Sequence, residues 1–265
     1  MLPLVGQWNT HTYSATTQAR SQISALCKEQ GIRLWMSEVG SGGSGIAGNL
    51  NLAQKLMDDI RYIMPVAWVD WQYVEEGNDQ WCLVQGDFTK QTYHKVKNYS
   101  IRQHFSKFIR PGYTFLTSLN GQTLAARNPE GDSLIIVAIN PNALPVVHRA
   151  DLSFYESISN GLTALRSSET EDLSPTADYT LEDRILTTSS QPTASSRSSS
   201  QWKKARMPTT PYAPAFLTGY APVTQPTKPA GIRRQGDFTT SVIRSGTNLE
   251  TATGRKRIYL YQRQR

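Results

Sequence analysis

Three stretches of this chain carry side chains whose types could act together on a substrate. Asn9-Thr10-His11-Thr12-Tyr13 offers an amide, an imidazole and a phenol; Ser37-Glu38-Val39-Gly40 offers a carboxylate; Trp68-Val69-Asp70-Trp71-Gln72 offers two indoles, an acid and an amide. Each follows or closes a short apolar run: Leu2–Trp8, Ile32–Met36 and Val66–Trp71. A carboxylate flanked by hydrogen-bond donors, with an aromatic face at hand, suits attack on the acetal carbon of a sugar. Retaining glycoside hydrolysis uses one carboxylate as nucleophile and a second as acid/base about 5–5.5 Å away. In that scheme Glu38 is the nucleophile, His11 and Tyr13 hydrogen-bond it and keep it ionised and oriented, and Trp71 lies under the ring. A Glu after a strand is more commonly a solvated carboxylate, so the reading rests on the constellation and not on Glu38 alone. Trp68 reads as core.

The elements that must position these groups follow from periodicity. Leu2–Trp8, Ile32–Met36 and Val66–Trp71 read as buried strands. A helix is expected over Thr17–Gln30, with Ala19, Ile23, Leu26 and Cys27 on its apolar face and Gly31 ending it. A glycine-rich loop, Val39–Gly48, precedes a second helix, Asn49–Ile63, with Leu52, Leu56, Ile60 and Ile63 on one face. Alternating strands and helices with continuously apolar strands indicate an α/β fold with a parallel sheet. In a parallel barrel the C-terminal strand ends share one face, where the site is built. Beyond lies an expected long loop, Tyr73–Gln91, and a helix over Tyr93–Phe108 that Pro111 cannot continue. From Tyr113 the pattern changes to short strands: Thr114–Leu119 and Thr123–Arg127 flanking Asn120-Gly121, then Leu134–Asn140, Val146–Phe154 and Thr163–Ser167. These predict a β-sandwich.

Leu34-Trp35-Met36-Ser37-Glu38, Asn9-Thr10-His11-Thr12-Tyr13 and Ala67-Trp68-Val69-Asp70-Trp71-Gln72 resemble strands six to eight of glycoside hydrolase family 30. Phe105-Ser106-Lys107-Phe108-Ile109-Arg110-Pro111-Gly112-Tyr113 is similar to that family's passage from barrel into β-sandwich. The loop Gly40–Gly48 and the run Trp81-Cys82-Leu83-Val84 point to its endo-β-1,6-galactanase-like branch. The resemblance covers roughly residues 1–188. It implies a partial (β/α)8 TIM barrel, namely its last three β/α units, followed by a β-sandwich. It also implies retention of configuration with Glu38 attacking the anomeric carbon, and Asn9, His11, Tyr13, Trp71 and Gln72 in contact with substrate. The family's acid/base Glu follows strand four, so none of these positions inherits that role. The expectation is therefore a truncated chain whose missing half holds the partner acid, inactive by itself.

Charge is divided unevenly. Residues 1–188 hold 15 Lys+Arg against 19 Asp+Glu, and residues 189–265 hold 13 against 2, so the net +7 comes from the tail. That tail is rich in Ser, Thr, Pro and Arg without sustained apolar period, and is expected to be a disordered basic tail. Where a last sandwich strand should stand, a Ser/Thr/Arg string stands instead. Codons exist for Ser190–Ser200 that read, in a neighbouring frame, as Pro-Ala-Asp-Ser-Ile-Ile-Thr-Phe-Val-Ile, similar to the family's closing strand. The chain past Thr188 is thus expected to be out-of-frame, and its charge is no sign of a nucleic-acid partner.

Other readings are weaker. Gly40-Ser-Gly42-Gly-Ser-Gly45 matches a dinucleotide fingerprint, but with the helix expected several residues beyond Gly45 its dipole is badly placed for a pyrophosphate. His94, His104 and His148 lack ligand spacing, so neither metal nor cofactor is expected. Cys27 and Cys82 read as buried free thiols. No apolar run is long enough for a membrane span, and no signal peptide is evident. The sequence thus predicts residues 1–111 as barrel, 112–188 as β-sandwich and 189–265 as tail. Its substrate would be a polysaccharide or oligosaccharide of β-linked sugars, with β-1,6-galactan suggested by the branch. By resemblance the intact protein is secreted or periplasmic. The alternative is a carbohydrate-binding remnant that performs no chemistry. Oligomeric state is unreadable.

Overall fold

A computed structural model describes residues 4–40, 45–142, 144–155, 157–158, 162–190, 216–224 and 259–264. Strands β1 (Gln7–His11), β2 (Arg33–Val39) and β3 (Ala67–Asp70) form a parallel sheet in that order. Helix α1 (Thr17–Glu29) connects the first pair. Helix α2 (Gly45–Asp58), continued by a π-helical turn Asp59–Ile63, connects the second. Thr16 caps α1 by accepting from the Ala19 amide at 3.1 Å, and Gly31, at φ +65°, turns the chain out of it.

The buried face of α1 differs from the expected one. Arg20, Ser24 and Cys27 are buried, whereas Ala19 is exposed and Leu26 is 43% exposed. The buried face instead carries an ion pair, Arg20 Nε lying 2.7 Å from Asp59 Oδ1, and Leu26 lies on the side away from it. Cys27, Leu34, Met36, Val39 and Ile63 form the core between sheet and helices, with Trp8, Ile23 and Trp68 packed on it.

The stretch expected to be a long loop contains a small sheet. Strands β4 (Val74–Glu76), β5 (Val84–Asp87) and β6 (Thr92–Lys95) pair in that order. Because Thr92–Lys95 is taken up as the partner of Val84–Asp87, helix α3 spans Lys97–Ser106 and not Tyr93–Phe108. The thiols Cys27 and Cys82 are free and buried.

The β-domain follows. Its strands are β7 (Thr114–Leu116), β8 (Thr123–Arg127), β9 (Ser133–Ile139), β10 (Val146–Asp151), β11 (Ser157–Ile158), β12 (Thr163–Ser167), β13 (Ser174–Pro175), β14 (Tyr179–Glu182) and β15 (Ile185–Ser190). Residues expected to be disordered supply two more, β16 (Phe216–Thr224) and β17 (Tyr259–Gln264). One antiparallel sheet runs β13-β12-β16-β9-β8-β7, with β11 also on β16; the other runs β14-β15-β10-β17. The departure from expectation has a backbone cause. The facing edges of β9 and β12 present unpaired amides, and a strand lying between them satisfies both rows. Pro222 falls opposite Ser133 within β16 and has no N–H to give the ladder. The remaining tail residues lie outside the described ones.

Strand β9 is buried along its whole length, which explains its run Leu134-Ile135-Ile136-Val137-Ala138-Ile139. One face, Leu134 and Ile136, meets Ala150, Leu152, Tyr155 and Leu186 of the opposite sheet. The other, Ile135, Val137 and Ile139, packs with Leu124 against Leu50, Leu56 and Met57 of α2 and Ile101 and Phe105 of α3. Each such Leu or Ile contributes about 1.5–3 kcal/mol on burial. The β-domain therefore braces the two helices that follow β2 and precede the domain itself.

Candidate active site

The position of Glu38 is decided by one extra residue in β2. Trp35 and Met36 pair with Asn9 and Thr10, but Glu38, not Ser37, pairs with His11. On the other side, Met36 pairs with Trp68 and Val39 with Asp70. Strand side chains alternate, so Met36 and Val39, three apart, would ordinarily face opposite ways. The inserted residue changes the parity: both are fully buried toward the helices, and Glu38 turns to the face of Asn9, His11 and Trp35.

On that face the Tyr13 hydroxyl donates to Glu38 Oε1 at 2.9 Å. His11 Nε2 lies 3.5 Å from Glu38 Oε2, and the His11 and Tyr13 rings meet edge to face at 6.2 Å. The carboxylate is partly exposed, with 26% of its side chain open. Burial, and then the hydrogen bond and negative charge of Glu38, push the Tyr13 phenol up to about 12, so it stays a donor across the ordinary pH range. Trp71 follows β3 and is half exposed; its peptide bond to Gln72 is cis. The structure does not draw every expected residue onto Glu38. Asn9 shares its face, but its side-chain oxygen accepts from Gln7 at 2.8 Å. The Gln72 carbonyl accepts from the Leu83 amide at 3.1 Å, which ties the segment after β3 to β5.

Several residues that sequence reasoning passed over hold this face in place. Asp59 is fully buried and takes three donors: Arg20, Thr12 Oγ1 at 2.8 Å and Trp68 Nε1 at 2.9 Å. Thr12 lies between His11 and Tyr13, so this network fixes the segment that brings both side chains to Glu38. Lys55 of α2 donates to the Gly40 carbonyl at 3.0 Å and stands 5.9 Å from the Tyr13 ring centroid. Its burial pulls its ammonium pKa down. Gly40 is needed for close approach: a Cβ there would stand 2.8 Å from the Trp71 carbonyl oxygen and 2.9 Å from Trp81 Cβ. The signal for these contacts was the residue types, a threonine inside the motif and a lysine on a helix, and neither spacing nor period marks them.

The other strand-end acid is on the wrong face. Asp70 pairs in register with Val39, lies toward the helices and meets Arg102 Nε at 2.7 Å. The Arg102 guanidinium also lies 4.6 Å from the Trp68 ring centroid. Burial raises the Asp70 carboxyl pKa against the pull of Arg102. It is a structural ion pair, not a second reacting carboxylate. Among the described residues no group of three His, Cys, Asp or Glu side chains could hold a metal ion. Helix α2 begins on Gly45 itself, so the spacing argument against a dinucleotide loop does not hold. What sets this strand end apart from such a loop is the carboxylate with the Tyr13 donor and the His11 ring beside it, and the lysine on the Gly40 carbonyl.

No family model matches the chain. It is 29% identical over 138 residues to an endo-β-1,6-galactanase of Hypocrea rufa, covering 52% of this chain and 28% of that protein. Among solved structures it is similar to a glycoside hydrolase family 30 subfamily 8 xylanase from Clostridium acetobutylicum, with TM-score 0.59 and 20% identity over 82% of this chain and 49% of that one. A GH30 endoxylanase from Clostridium papyrosolvens gives TM-score 0.58 and 16% identity over 83% and 50%. The chain spans about half the length of these solved relatives and less of the galactanase. Its sequence is thus similar to that of the galactanase, and its fold is similar to that of the two family 30 enzymes.

Proposed function

We propose that this chain is the nucleophile-bearing part of a retaining glycoside hydrolase acting on β-linked glycans, with β-1,6-galactan the leading substrate. The observation that carries the reading is the turn of Glu38 onto one face of the parallel sheet, where Tyr13 donates to it and the His11 imidazole stands 3.5 Å from its other oxygen. Tyr13 engages Oε1, so Oε2 is the oxygen that attacks the anomeric carbon. The bond to the leaving oxygen breaks as a second carboxylate protonates it, giving a glycosyl ester on Glu38 that water then hydrolyses. Strands β1, β2 and β3 put no second carboxylate on this face. The reading assigns it to barrel strands beyond the three that the structure describes, with residues 1–111 belonging to the barrel and the β-domain beginning at 112. The preference for β-1,6-galactan rests on the galactanase relative. Secretion or a periplasmic location goes with this reading; among the described residues no helix is long and apolar enough to cross a membrane.

A leaving group that needs no protonation tests Glu38 without the missing acid. The chain is incubated with a dinitrophenyl 2-deoxy-2-fluoro-β-galactoside, then digested and analysed by mass spectrometry. A fluorogalactosyl ester on the peptide containing Glu38, absent from Glu38→Gln, is the expected result. A label on another carboxylate would remove Glu38 from the role. Binding of galacto-oligosaccharide without any label would favour the non-catalytic carbohydrate-binding reading.

A further inference from the structure

Trp81 lies between β4 and β5, and the chain on both sides of it is clamped. Asn98 Nδ2 donates to the carbonyl oxygens of Gln80 at 3.1 Å and Cys82 at 3.3 Å, the residues immediately before and after it. Asn98 Oδ1 accepts in turn from Asn49 Nδ2 at 2.5 Å. Asn98 and Asn49 are 0% and 3% exposed and come from α3 and α2. Buried amides are costly unless bonded, so two of them committed to one irregular segment argue that its placement matters. The Cys82 thiol adds a bond to the Asn78 carbonyl at 2.9 Å.

What the clamp places is an indole against the site. Trp81 Cβ packs on Gly40, two residues beyond Glu38, on the backbone that also meets the Trp71 carbonyl. Trp81 Nε1 is buried with no hydrogen-bond partner among the described residues. A buried indole N–H ordinarily finds an acceptor, and leaving one unpaired is unfavourable. A sugar hydroxyl is an acceptor of the right kind, and Trp81 as a whole is only partly buried.

We infer that Trp81 is a substrate-contacting residue: its indole N–H donates to a hydroxyl oxygen of the sugar unit bound beside Glu38, and Asn98 is the positioning residue that holds it there. The inference rests on the glycosidase reading above. It is tested on the full chain with 15N-labelled indoles, in which each of the six tryptophans gives one N–H signal. Trp71→Phe and Trp81→Phe assign two of them. On titration with β-1,6-galactotriose the Trp71 and Trp81 signals move together. Trp81→Phe, which keeps a ring but loses the donor, weakens binding about three- to tenfold. Asn98→Ala shifts the Trp81 signal in the free chain and weakens binding no further when combined with Trp81→Phe, a non-additivity that a purely structural role would not give. If Asn98→Ala fails to fold, Trp81→Phe decides alone. Movement of the Trp71 signal with Trp81 unmoved and full affinity in Trp81→Phe overturns the inference and leaves the glycan reading standing. No movement of any indole and no calorimetric binding overturns both.

Discussion

Tyr13 donates to Glu38 Oε1 at 2.9 Å, and that bond joins the segment after β1 to the end of β2 across 25 positions of sequence. Removing the donor leaves a carboxylate oriented by His11 alone. A hydrogen bond to a charged group contributes about 1.5–3 kcal/mol, so Tyr13→Phe should lower kcat/KM for an activated galactoside about ten- to a hundredfold. The phenol is held up to about 12, so the loss is flat between pH 5 and 9. A Tyr13→Phe chain labelled at wild-type rate by the fluorosugar would show that the bond does not serve the reaction.

Gly40 has no room for a side chain. In Gly40→Ala the new Cβ meets backbone at the Trp71 carbonyl as well as Trp81 Cβ, and backbone does not yield cheaply. Overpacking of this kind costs about 1–3 kcal/mol. A fall of that size in urea-unfolding stability, with weaker galactotriose binding, is expected; unchanged stability would mean the Trp81 segment swings away freely.

The Arg20–Asp59 pair is buried, with 9% and 0% of the side chains exposed. Deleting one partner strands the other charge, at about 3–5 kcal/mol. Asp59→Ala should therefore destabilise strongly, and more than Thr12→Val, which removes one neutral donor from the same carboxylate. Denaturant midpoints of the two variants give the comparison, and equal midpoints would contradict it.

His104 of α3, packed against Ser167 of β12, and His148 of β10 give the chain an acid sensitivity. Burial pulls His104 from 6.5 down to about 3 and His148 to about 4. Both are neutral when folded, and below 6.5 the unfolded chain takes up protons that the folded one does not. Their contribution is therefore intact above pH 6.5 and is lost as pH falls from there toward 4. The slope approaches about 1.4 kcal/mol per pH unit for each histidine. Unfolding measured at pH 7, 6 and 5 should show the decline, and His104→Gln, if it folds, should flatten it.

The frame past Thr188 is a further proposal. Pro222 inside β16, flanked by β9 on one side and by β11 and β12 on the other, is a poor residue for an interior strand. Genomic DNA should encode Pro-Ala-Asp-Ser-Ile-Ile-Thr-Phe-Val-Ile in an alternative frame over Ser190–Ser200. Its absence from both alternative frames would sink the idea.

Much of the scaffold was legible along the chain. The apolar runs Ile32–Met36 and Val66–Trp71 did mark strands of a parallel sheet, because residues buried on the helix side leave a local pattern. The expected buried strand Leu2–Trp8 is displaced: β1 is Gln7–His11, Leu4 is 90% exposed, and the strand is set by pairing with Arg33–Glu38 and not by its own apolar run. The strand pair around Asn120-Gly121 carried its own turn signal. That a carboxylate, an imidazole and a phenol stand at neighbouring strand ends was legible from residue type, and the structure brings Glu38, His11 and Tyr13 together. Local sequence could not reveal the pairing of Val84–Asp87 with Thr92–Lys95, which competes with a helical reading of the same residues. Nor could it show the extra residue in β2 that turns Glu38 to the side of His11, since parity is defined only against neighbouring strands. Nor could it show that the buried face of α1 holds Arg20, whose carboxylate partner Asp59 lies 39 positions away. Sequence fixed which groups were available, and tertiary structure decided which of them share a face.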